Sequence, residues 1–195
     1  MAKSVEIVFM PPRGRRDVDI PPPAVPGIAR VESIKALGVT ISRNFSVSQH
    51  VDDLLTASAR TLFALRTLKQ HGLPSCALQE VFQATVISRL SYAMPAWWGF
   101  TSAADRDRLD AFLRRSIRFG YRDASAMSIT AISERADDSL FSSVNSNGGH
   151  LLYPLLPPKR RHQYSLRQRP HQYQIPTRTT ALSDNNFITR MLFKA

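Results

Sequence analysis

Residues 46–74 read SVSQHVDDLLTASARTLFALRTLKQHGLP, and this stretch decides the fold class. Val51, Leu54, Leu55, Leu62, Leu65 and Leu68 recur on one helical stripe, with the small Ser58 filling the gap at the three- and four-residue steps. That spacing predicts a long amphipathic helix, stopped by Gly72 and Pro74. Ser46 with Gln49 resembles a capping box at its start. Asp52 and Asp53 then fall in the first turn, where the helix dipole favours acidic residues. Adjacent helical residues diverge by about 100°, so the pair is ill placed to chelate one metal.

Downstream the helical pattern repeats. Ser75 opens a second helix through about Tyr92, carrying Leu78, Val81, Phe82, Val86, Ile87 and Leu90 on a wide apolar arc. Pro95 breaks it, and Trp97, Trp98 and Phe100 follow as an apolar corner. A base could stack on such rings. The helices expected on both sides favour a core role instead. Ser102 and Asp105 cap a third helix with Leu109, Phe112, Leu113 and Ile117, ended by Gly120. A fourth lies within 128–149 with Ile129, Ile132, Ala136, Leu140 and Val144, stopped by Gly148. Asp137 and Asp138 are expected to face solvent in its middle.

Upstream the pattern changes to strands. Residues 4–10 (SVEIVFM) alternate, residues 11–27 are proline-rich, and residues 28–42 resume strand character. The expectation is a β-hairpin with a long proline-rich tip, in which Gly38 marks a bulge, bend or close backbone approach. The fold class expected is therefore mainly α. An N-terminal β-hairpin (1–44, with the loop 11–27) precedes a three-helix bundle (45–122). An additional helix (123–149) and a basic, poorly ordered tail (150–195) follow. The tail ends in a short helix capped by Ser183 or Asp184, whose Phe187, Ile188, Met191 and Leu192 need a surface to dock on.

The 195 residues carry 26 Lys and Arg against 15 Asp and Glu, a net charge of +11. Residues 151–195 hold eight of those cations against the single Asp184. Such a balance points to a polyanionic partner, RNA or DNA. Arg108, Arg114, Arg115, Arg118 and Arg122 crowd the third helix and its end. Complementing the helix C-terminus accounts for one or two arginines, not five, so a phosphate-contacting surface is expected there. Lys159, Arg160 and Arg161 add a second basic cluster in the tail. The single Cys76 has no internal disulfide partner and fits a reducing, intracellular compartment, cytoplasm or nucleus. The start lacks the long apolar segment of a secretory signal, and no run approaches the roughly 18 apolar residues of a membrane span. P-loop, nucleophile-elbow and paired metal-ligand motifs are absent from the sequence, so no bound cofactor or metal is expected.

A set of ordered segments carries a resemblance: KSVEIVF (3–9), VESIKALGVTISRNFSVSQHVDDL (31–54), LFALRTLKQHGLP (62–74), VFQATVISRLSYAMPAWWGF (81–100) and LDAFLRRSIRFGY (109–121). With HLLYPLLPPKRRHQYSLRQRPHQY (150–173) and NNFITRMLF (185–193), they resemble the downstream part of a LINE-type, non-LTR retrotransposon reverse transcriptase of the jockey-like branch. The resemblance covers nearly the whole chain. It implies that Lys3 stands at the lysine following the active-site hairpin. It places Lys35, Leu37, Gly38 and Val39 in the primer grip, and residues from about 46 to 122 in the thumb, which holds the template–primer duplex. It also implies what is missing. The carboxylates of the parent enzymes, including a Tyr-x-Asp-Asp hairpin, hold two Mg²⁺ and would precede Met1. The asparagine usual before the lysine is absent too. The expectation is a non-catalytic piece of an RNA-directed DNA polymerase. The alternatives are a basic helical nucleic-acid-binding or interaction protein derived from a transposable element, and a relic without function.

Overall fold

A two-residue loop closes at less entropic cost than a long one, and this preference shapes the N-terminal part. A computed structural model describes residues 4–9, 22–159 and 171–194. Its antiparallel hairpin is local. Strand β1 (Val5–Glu6) and β2 (Ala29–Arg30) precede it, and β3 (Ser33–Ala36) pairs with β4 (Val39–Ser42) around Leu37 and Gly38. Both turn residues have positive φ, 47° and 88°, the signature of a type I′ turn. Gly38 is thus the bend itself. The expected pairing of 4–10 with 28–42 around a proline-rich tip is corrected: β1 runs parallel to β2. Arg30 ties these two through both oxygens of Glu6, at 3.2 and 3.0 Å. Residues 11–21 of the proline-rich loop lie outside the described residues.

Leu37 is 92% exposed, so its side chain gains nothing that offsets a left-handed backbone. Leu37→Asn should stabilise the chain by about 1 kcal/mol, because asparagine tolerates that conformation. A urea midpoint that stays put or falls would contradict this account of the turn.

Helix α1 spans Ser48–Gln70 and buries His50, Val51, Leu54, Ser58 and Leu65. Its N-cap is Val47 without a side-chain bond, so the capping box expected at Ser46 is corrected. The Ser46 hydroxyl instead accepts from the Ser48 N–H at 3.3 Å. With the helix starting at Ser48, Asp52 and Asp53 lie beyond its first turn.

The second helical stretch is divided. Helix α2 (Ser75–Phe82) passes through a π-turn (Gln83–Ile87) into α3 (Ser88–Ser91). The Thr85 and Ser88 hydroxyls donate to the Val81 and Gln83 carbonyls, accommodating the loosened ladder. Proline acts ahead of itself. Its ring cannot sit over the Ser91 carbonyl, so the break falls at Tyr92 and Ala93, the latter at φ 50°. Pro95 then occupies the first turn of α4 (Met94–Trp97), where no N–H is needed.

A 3₁₀ turn (Trp98–Phe100) leads to α5 (Ala103–Arg118), which carries the capping box of Ser102 and Asp105. Helix α6 (Ile129–Ser146) follows, capped by Ser128. Met94, Trp97, Trp98, Leu109, Phe112 and Ile129 join the buried residues of α1–α3 and Val39 of β4 in one core. The apolar corner is therefore core. Stacked rings of Phe9, Phe45 and Phe100, at 4.2 and 6.2 Å, hold the N-terminal segment against it.

The tail departs furthest from expectation. Residues 171–194 pack back onto α6. Helices α7 (Ala181–Asn185) and α8 (Phe187–Phe193) are capped by Thr180 and Asn186, not by Ser183 or Asp184. Tyr173, Met191 and Leu192 cluster with Phe141 of α6. Asp137, expected in solvent, is buried and paired with Arg190 at 3.2 Å, while Asp138 pairs with Lys194 at 2.6 Å. Burial pushes the Asp137 carboxyl above its ordinary range, against the pull of the Arg190 and Lys194 charges. The acidic pair on α6 thus receives a basic strap, a partnership that average composition conceals.

Candidate nucleic-acid interface

The direction of two helices sets the site. The Ser48 hydroxyl donates to Asp105 at 2.8 Å, Asp52 pairs with Arg108, and Lys69 donates to the Phe119 carbonyl at 2.9 Å. These ties join start to start and end to end, so α1 and α5 run parallel. Their C-terminal ends lie together, and the basic half of α5 falls there.

Five arginines were expected to form one surface, and the structure separates them. Arg114, Arg115 and Arg118 are exposed and make no ion pair among the described residues. Arg114, Ile117 and Arg118 line a shallow open depression. Arg108 is corrected: its guanidinium bridges Asp52 of α1 and Asp105, so two carboxylates already balance it. Arg122 is corrected as well. It lies past the end of α5, is buried, and donates to the Met127 carbonyl. Burial lowers its pKa from the ordinary arginine value. A paired and an unpaired arginine look alike in sequence, which is why the five could not be told apart.

The hairpin residues lie elsewhere. Lys35 and Leu37 are exposed, and the Leu37 carbonyl accepts from the Tyr92 hydroxyl at 3.2 Å. Tyr92 follows α3, which returns towards the start of α1, as the Arg89–Thr61 hydrogen bond shows. Lys35, Leu37 and Gly38 therefore stand near one end of α1 and the arginines near the other. From Asp105, level with the start of α1, to Arg114 and Arg118 is roughly 15–20 Å of helix at 1.5 Å per residue. Lys159 belongs to neither group: its ammonium stands 5.8 Å from the centre of the Tyr173 ring, beside the strap. Lys3, Arg160 and Arg161 lie outside the described residues.

Sequence reasoning passed over Arg66 and Lys69, which α1 contributes near the same end. Lys69 caps the C-terminus of α5, a role invisible without the pairing of the two helices. Arg66 lies fourteen residues after Asp52 and so keeps to the α5 side of α1. Among the described residues no group of three or more His, Cys, Asp or Glu could hold a metal ion. No described helix is long and apolar enough to cross a membrane. Comparison with family models, curated proteins and solved structures yields no match for this chain.

Proposed function

We propose that this chain is the primer-grip and thumb portion of a non-LTR retrotransposon reverse transcriptase, and that it holds a template–primer duplex without polymerising. The observation that carries the proposal is the ridge of Arg114, Arg115 and Arg118, whose charges no carboxylate among the described residues balances. The order of segments supports it, with a hairpin at Leu37–Gly38 preceding the helices. The sequence holds no Tyr-x-Asp-Asp, so the reading assigns grip and not chemistry.

Replacing Arg114, Arg115 and Arg118 together by alanine should reduce the slope of log affinity against log salt by about 3 units on a blunt duplex. Titrations by fluorescence anisotropy at several salt concentrations measure it. An unchanged slope would remove the ridge from the interface. Extension of a primer on an RNA template with Mg²⁺ by the purified chain would refute the non-catalytic reading.

A further inference from the structure

Two phenylalanines stand along the same half of the parallel helices. Phe63 lies eleven residues after Asp52 on α1, and Phe119 lies eleven residues after Arg108 beside the end of α5. Eleven residues make about three helical turns. Beyond the Asp52–Arg108 tie, three turns along each helix bring both rings to the same half of the seam, with Phe119 held nearer the end of α1 by the Lys69 bond to its carbonyl. Both are solvent-exposed, Phe63 by 73% and Phe119 by 50%. A single exposed apolar residue needs no explanation, but these two share one seam and are flanked by cations that make no ion pair among the described residues. Arg66 follows Phe63 at the three-residue step, and Arg115 precedes Phe119 at the four-residue step, where helix neighbours meet. Arg118 adjoins them. The two rings do not stack on each other, and among the described aromatic rings Phe119 meets Tyr121 edge-on, at 6.2 Å.

Alternating aromatic faces and cations are what unpaired nucleotides require: a ring for each base and a charge for each phosphate. A duplex, with its bases already stacked, uses the charges alone. We infer that the seam between α1 and α5 binds a single-stranded nucleic-acid segment, with Phe63 and Phe119 as stacking platforms and Arg66, Arg115 and Arg118 on the phosphates. The inference rests on the nucleic-acid reading of the arginine ridge and adds a preference for unpaired nucleotides beside the duplex.

The test compares two fluorescein-labelled probes on the full chain, a blunt duplex and the same duplex with an unpaired extension of about four nucleotides. The extension is made once as RNA and once as DNA, which tells the two sources apart. The extension should tighten binding about tenfold. Phe63→Ala and Phe119→Ala should each remove most of that gain and leave the blunt duplex unaffected. Phe63→Trp should retain the gain, and its new exposed indole should be quenched by the extension. Equal binding of the two probes overturns the inference while leaving the duplex reading intact. So does a tenfold preference that both alanine variants preserve. Failure of both probes to bind removes the inference and the duplex reading together.

Discussion

Trp97→Ala should cost about 3–5 kcal/mol, a large part of the roughly 5–15 kcal/mol that holds a domain of this kind together. Trp97 is completely buried, at 0% exposure. Its indole N–H donates to the Tyr92 carbonyl at 3.0 Å, across the break that Pro95 enforces. Its ring meets His50 of α1 edge-on at 5.2 Å and Trp98 at 6.1 Å. Removing it leaves a cavity where α1 and α4 meet and strips the Tyr92 carbonyl of its donor. Trp97→Phe should cost less, because it keeps a ring and loses mainly the hydrogen bond. Urea unfolding followed by far-ultraviolet circular dichroism measures both. The same experiment separates the two readings of the aromatic corner. A Trp97→Ala chain of undiminished stability that no longer bound oligonucleotides would make Trp97 a base platform and not core.

The corner, α1 and α5 were legible because each is specified by residues close in sequence. Apolar residues at three- and four-residue steps give the helices, and Ser102 with Asp105 closes its cap within one turn. What was not legible depends on partners far along the chain. Asp137 is a solvent-facing acid until Arg190, 53 residues later, is laid across it. Arg108 is a phosphate ligand until Asp52 comes alongside. The terminal helix and its need to dock could be read from its own residues, but its receptor could not, because Phe141 of α6 reaches it only in the fold. The candidate interface was half legible for the same reason. Charge on α5 could be read directly, whereas the placing of Phe63 and Phe119 on one seam follows only once the two helices are known to run parallel.

Gly99→Ala should release the strap and spare the bundle. Gly99 sits in the 3₁₀ turn against α7, and a β-carbon there would stand 2.0 Å from the Asn185 carbonyl oxygen and 3.0 Å from Nε of Arg190. The nearer obstacle is backbone, so no rotamer relieves the clash, and α7 must move away from the turn. Movement there reaches every tie of the strap, because Arg190 also donates to the Pro95 carbonyl at 3.0 Å and pairs with Asp137. The cost has a ceiling. The strap can let go, so the variant cannot lose more than the strap's docking free energy. Burial of Met191 and Leu192 contributes about 1.5–3 kcal/mol each, reduced by the ordering of the segment. The expected loss is thus about 2–4 kcal/mol, confined to the strap. Hydrogen exchange should show the amides of 187–193 losing protection while those of α1 keep theirs. The Asp137 carboxyl gives a second readout: freed from burial, it should titrate lower, back towards the ordinary carboxylate range. Full protection at 187–193 together with an unmoved Asp137 would mean that the turn yields instead of the strap.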